Sequence, residues 1–149
     1  VTPLPEAEIA RLKAGYEGCF GCGAANPIGI GLSGFGVAGD GTVTASFRPR
    51  VDHRGFAGVL HGGILASALD EMLAWTAMIR EGVLVLTARL ELRYRRPAPL
   101  DGAYRLVGRI DERRGRRLLL SGECHSAEGI VAQAEGLFLV AEEIAPPEA

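Results

Sequence analysis

The sequence predicts an α+β domain: one long buried helix set against an antiparallel sheet of five or six strands. Two observations carry this. From about residue 61 to 80, HGG leads into ILASALDEMLAWTAMIREG, where Ile64, Leu65, Ala68, Leu69, Met72, Leu73, Thr76 and Met78 make the helix apolar on most faces. A helix apolar almost all round belongs in the middle of a domain. Strand-like runs then follow one another to near the end of the chain, separated by hairpin signals.

Taken in order, EAEIARLKAG (6–15) reads as a short amphipathic helix with Ile9 and Leu12 on one face. Residues 15–29 are rich in Gly, Cys, Asn and Pro and read as loop. Ile30–Val37 and TVTASF (42–47) read as two strands joined by a tight turn at GDG (39–41). Residues 48–60 are irregular. Four longer strands follow, at 83–96, 103–114, 116–127 and 130–143, with turns at PAPLDG, Gly115 and Glu128-Gly129. The whole is one domain, 1–149, with an N-terminal arm at 1–18 and a short acidic tail at 143–149. No linker, repeat or low-complexity segment divides it.

Composition narrows the function classes. The 149 residues carry 16 basic and 18 acidic side chains, 48% hydrophobic residues and 21 glycines. This is globular composition rather than disordered. A net charge of -2 disfavours a nucleic-acid binder, which needs a basic surplus to neutralise phosphates. No apolar run reaches the ~18 residues of a membrane span. The stretch VTPLPEAEIARLKAGYEG has no charged-then-apolar leader pattern, and three Cys do not make a disulfide scaffold. A cytoplasmic protein is the expectation. Charge is unevenly spread: between Arg89 and Arg117 ten Arg face four acids. A local basic patch on a mildly acidic protein suits a small phosphorylated ligand better than a long polyanion. Arg93 and Arg95 lie two apart on a strand and so share one face, with Leu92 and Tyr94 on the other.

The chemistry gathers at the central helix. His61-Gly62-Gly63 opens it, and glycine lets a ligand approach backbone N–H groups that have no intrahelical partner. Those donors and the helix dipole suit a polarised carbonyl. Asp70 lies within the apolar run, where a carboxylate is costly unless paired or used. The neighbouring Glu71, 100° round the helix, is expected to be solvated or ion-paired. Gly62 and Asp70 are eight residues apart, ~12 Å along a helix. One reacting carbonyl cannot lie within ~3 Å of both. If both act on one substrate, they come from two chains of a homodimer with paired, roughly antiparallel helices.

HGGILASALDE followed by LTARLELRYRRPAPLDG resembles the hotdog-fold acyl-CoA thioesterases of the phenylacetic-acid-degradation branch. CFGCGAANPIGIGL is similar to the opening of the thioesterase superfamily member 4 subgroup. The resemblance runs from about Cys19 to Val140. It implies a curved antiparallel sheet wrapped around the long helix, dimers or dimers of dimers, and hydrolysis of an acyl-CoA without metal or cofactor. Carried over, Asp70 is the catalytic acid and Gly62 the backbone donor to the thioester carbonyl. Thr87 is a hydroxyl near the attacking water. Arg93, Arg95 and Arg116 hold the CoA nucleotide, and His61 and Gly63 border the substrate, His61 orienting the loop. An acyl group between the helices would be lined by Leu69, Leu73 and Trp75. One departure stands out. Gly55 occupies the place, six residues before His61, where many relatives carry Asn or Gln; His53, otherwise read as a surface loop residue, or Arg54 is left to substitute.

Cys19-Phe20-Gly21-Cys22 is a CxxC, and a zinc site would need two further ligands. Cys124 and His125 are neighbours on a strand and point to opposite faces. The motif therefore reads as a compact loop with small buried thiols. Two other functions remain. A hotdog hydratase would want a His following Asp70 on the helix, which is lacking. A non-catalytic acyl-CoA-binding module would keep the Arg patch and not need Asp70.

Overall fold

The computed structural model describes residues 3–144; the last five residues of the expected acidic tail lie outside them. The element order is α1 (Glu6–Ala14), β1 (Ser33–Val37), β2 (Val43–Phe47), α2 (Gly62–Glu81), β3 (Val83–Tyr94), β4 (Tyr104–Arg114), β5 (Arg117–Ser126) and β6 (Gly129–Glu143), with a single 3-10 turn at Val51–His53. The six strands form one antiparallel sheet in the order β1-β2-β4-β5-β6-β3. β1 and β3 are its edges. The strand that follows the helix thus crosses to the far edge, and α2 fills the concavity against β2 to β6. No described helix is long and apolar enough to cross a membrane.

α2 forms because Ala, Leu, Met and Glu dominate its interior, and both ends are closed. His61 caps the start through its ring, and Gly82 closes the end at φ 64°, its N–H on the Met78 carbonyl. Half of its twenty residues are buried, including Leu69, Met72, Leu73, Trp75 and Ile79. The sheet answers with alternating inward side chains: Val43, Ala45 and Phe47 on β2, Tyr104 and Leu106 on β4, Leu118 and Leu120 on β5, Phe138 and Val140 on β6.

Where α2 crosses most closely, the inner face is glycine. Gly108 and Gly122 are cross-strand partners on β4 and β5. A Cβ on Gly108 would lie 2.1 Å from Thr76 Oγ1, and one on Gly122 would lie 3.0 Å from Leu73 Cδ2. The glycines let a bulky helix sit down on the sheet. The N-terminal arm closes one flank: the Leu4 N–H donates to the Ile79 carbonyl at 2.8 Å, and Ile9 enters the core. Burial pushes the Cys124 thiol on β5 up to about 12, so it is protonated core filling.

Gly108→Ala tests this seating. Thr76 is fully buried and stiff at χ1, so the added methyl forces a backbone shift. Destabilisation by about 1–3 kcal/mol is expected in urea unfolding, with an unchanged m-value.

Candidate active site

The predicted residues fall into two groups at different places on α2. The first is its N-terminus. The His61 N–H donates to the His53 carbonyl at 2.9 Å, and the Leu60 N–H to the Ala98 carbonyl at 2.8 Å. Both fix the chain as it enters the helix. His61 Nδ1 accepts from the Gly63 N–H at 2.8 Å, and the His61 carbonyl takes the N–H groups of Ile64 and Leu65. Gly62 is then the one first-turn donor with no partner among the described residues. No acid lies in this first turn, so the positive end of the helix dipole is uncompensated there.

Tyr94 at the end of β3 donates its hydroxyl to the Gly62 carbonyl at 2.8 Å. The strand alternation places Tyr94 on the face opposite Arg93 and Arg95 and gives it no part. The signal available was a phenol at the end of an apolar strand face, which wants a hydrogen-bond partner. Gly62, Leu65, Tyr94, Arg95 and Ala98 line an open depression of ≈ 450 Å³ beside this helix start.

The second group lies two turns on. Asp70 is half-buried on the face of α2 that the sheet leaves open, and has no ion-pair partner among the described residues. Thr87 Oγ1 donates to Asp70 Oδ1 at 2.6 Å. This is a short bond, and it leaves the other carboxylate oxygen open. The β3–β6 register slips between Thr87 and Arg89, so one extra residue bends the strand there. Bulges re-aim side chains in this way. Thr87 therefore faces the helix although it lies on an exposed stretch of β3.

Three expectations need correction. His53 is not a surface residue: it is 2% exposed, its Nδ1 accepts from the Arg50 N–H at 3.0 Å, and its Nε2–H donates to the Ile28 carbonyl at 3.1 Å. With both nitrogens engaged, its ring is not free to replace the side chain missing at Gly55. Leu69, Leu73 and Trp75 do not line the open face of α2. They are at most 1% exposed and pack inward, Trp75 stacking on Phe35 with ring centroids 4.5 Å apart. Glu71 is half-buried and makes no ion pair among the described residues: it accepts from the Trp75 indole N–H at 3.2 Å and from the Cys19 thiol at 3.5 Å.

The arginines divide as well. Arg93 and Arg95 share the outer face of the sheet, as the alternation predicts. There Arg95 donates to Gln133 Oε1 at 2.6 Å beside the Arg109–Glu123 pair, and these residues line a depression of ≈ 390 Å³ with Glu91 and Glu135. Arg116 is elsewhere. It holds the Val140 carbonyl with Nε and Nη2, at 3.1 and 2.9 Å. Arg93 pairs with Gln133 on β6, seven residues from Val140, ~23 Å along a strand. Within one chain, Gly62 goes with Arg93 and Arg95, and Asp70 with Thr87 and the Arg116 end of the sheet.

This fold and this helix define the hotdog class. Residues 57–133 match the model of the Thioesterase superfamily, more than half of the chain, and the protein belongs to that family. It is 33% identical over 88 residues to acyl-coenzyme A thioesterase THEM4 of Bos taurus, covering 58% of this chain and 35% of that one. The chain spans about a third of the length of that curated relative. Among solved structures it is similar to a thioesterase superfamily protein, with a TM-score of 0.70, 30% identity and coverage of 78% of this chain and 60% of that one. A conserved protein of Pseudomonas aeruginosa gives a TM-score of 0.67 at 26% identity, over 74% of this chain and 89% of that one.

The cap bond yields a direct expectation. His61→Ala removes the acceptor of the Gly63 N–H and lowers unfolding free energy by about 1 kcal/mol, while His61→Asn, which retains an acceptor, recovers part of the loss. Chemical denaturation of the three proteins side by side measures it.

Proposed function

We propose that this protein hydrolyses an acyl-CoA thioester to the free acid and CoA, at two equivalent sites of a homodimer. One observation carries the reading: the 2.6 Å bond that holds Asp70 on Thr87, on the same helix whose start leaves the Gly62 N–H without a partner. A hydrolase needs a donor for the oxyanion and a base for water, and these are the two. Family membership and the named acyl-coenzyme A thioesterase relative support the substrate class.

The mechanism follows from the spacing. Gly62 and Asp70 lie eight residues apart on one straight helix, ~12 Å, and cannot reach one carbonyl together. Two chains with antiparallel α2 helices bring Gly62 of one against Asp70 of the other. The same pairing sets Arg93 and Arg95 of one chain beside the Arg116 end of its partner, for the CoA phosphates. β3 supports the pairing. It is a twelve-residue edge strand with Leu86 66% exposed, and an edge of this length invites another chain.

In the reaction, the Gly62 N–H and the helix dipole stabilise charge on the thioester oxygen. Asp70 takes a proton from water as the water oxygen bonds to the carbonyl carbon. The C–S bond breaks, and the CoA thiolate takes up that proton. Thr87 holds the carboxylate in line throughout. Direct attack by Asp70, giving a mixed anhydride that water then opens, uses the same atoms. His61 and Gly63 border the substrate at the helix start.

Thiol release from short, medium, long and aryl acyl-CoAs tests the reading. Asp70→Asn is expected to lower kcat at least about a hundredfold with CoA still bound. Thr87→Val, which keeps the shape and removes the bond, is expected to cost about tenfold or more in kcat. A wild type that binds CoA and releases no thiol from any thioester would sink the hydrolase reading and leave a binding module.

A further inference from the structure

The CxxC loop that sequence reading left as buried packing closes on α2 at a third candidate ligand. Cys19 Sγ, Cys22 Sγ and a carboxylate oxygen of Glu71 all lie within 4.8 Å of one another. Gly21 admits this closeness: a Cβ there would lie 2.5 Å from Glu71 Cδ. Cys22 and Trp75 are buried, at 2% and 1% exposed, and Cys19 and Glu71 are half-buried beside them. No basic side chain pairs with Glu71 among the described residues. Its partners, an indole N–H and a thiol, carry no charge. A half-buried carboxylate beside two thiols, with no basic partner among the described residues, is an anionic ligand set open to a cation.

We propose that Cys19, Cys22 and Glu71 bind a zinc-class divalent ion, with the fourth position left to water. Zn–S near 2.3 Å and Zn–O near 2.0 Å in a tetrahedron give an S···O edge of ~3.5 Å. The Cys19 Sγ to Glu71 Oε1 separation is 3.5 Å. Thiolates select zinc over magnesium or calcium. Binding displaces one proton from each thiol, so the two thiolates and the carboxylate bring three negative charges against the ion's two positive. Lys13, the single lysine of the chain, supplies the remaining positive charge nearby by donating to the Cys22 carbonyl at 2.9 Å. The Trp75 N–H on Glu71 Oε1 is the outer bond that orients a metal-bound carboxylate. The ion would pin the 15–32 loop to the residue next to Asp70. It is a structural clamp, independent of the proposed hydrolysis.

The test uses the full chain, reduced and freed of metal, then titrated with Zn2+ and separately with Co2+. About one ion per chain is expected, together with the intense visible bands of tetrahedral cobalt and a sulfur-to-cobalt band in the near ultraviolet. Cys19→Ser and Cys22→Ser lose both signals, Glu71→Gln weakens binding about tenfold or more, and Cys124→Ser behaves as wild type. Zn2+ also raises the wild-type Tm by several degrees and leaves that of Cys22→Ser unmoved. Should the cysteine variants fail to fold, Glu71→Gln and the wild-type Tm shift decide. Less than about a tenth of an ion per wild-type chain with no Tm shift, or undiminished binding in the folded cysteine variants or in Glu71→Gln, would overturn the proposal.

Discussion

The length of one rigid helix constrains everything this molecule can do. α2 carries at its first residue an N–H with no partner among the described residues and at its ninth a carboxylate, and no helix bends its ninth residue back to its first. The sheet is shaped to hold that helix rather than to break it. It buries half of α2, with glycines on the inner face where the two surfaces come closest. The face left open is the one that carries Asp70. In the proposed chemistry, the active unit is therefore a pair of chains, and the long exposed edge of β3 and the division of the arginines follow the same logic.

Each end of the site is held by short-range bonds from elsewhere in the chain. At the helix start, the His53 carbonyl, the His61 ring and the Tyr94 hydroxyl each take or give one hydrogen bond, and what remains is a donor at Gly62 with no partner among the described residues. At the carboxylate end, a bulge in β3 turns Thr87 onto Asp70. Neither end has a charged partner among the described residues, so in the proposed chemistry the helix dipole and the carboxylate act without competing counter-ions. On the outer face the arginines are interleaved with acids, as in the Arg109–Glu123 pair. The local basic surplus is a patterned surface rather than a uniform cationic one.

Much of this was legible in the sequence, for physical reasons. The helix and the four long strands were plain because their periodicities are strong and Gly115 and Gly129, at positive φ, punctuate them. Asp70 stood out as a carboxylate in an apolar run. What failed were directions. Leu69, Leu73 and Trp75 are apolar on a helix apolar nearly all round, so periodicity could not say which face meets the sheet. His53 looked like a surface residue because its two acceptor and donor partners, on the backbone of Arg50 and Ile28, belong to loops whose folding has no local signal. Glu71 was assigned to solvent or an ion pair because the CxxC loop that meets it is 49 residues away in the chain.

The central claim is that Gly62 and Asp70 act on one substrate from different chains, and mixing two inactive variants tests it most directly. Gly62→Pro removes the N–H at the first helical position, where proline is tolerated. Asp70→Asn removes the base. Each alone is inactive on this account. When the two are unfolded together and refolded, half of the dimers are hybrids, each with one doubly damaged site and one intact site, so about a quarter of wild-type thiol release returns. A mixture as inactive as its parents, with hybrid dimers shown to be present, would contradict the account and place both groups in separate roles within a single chain.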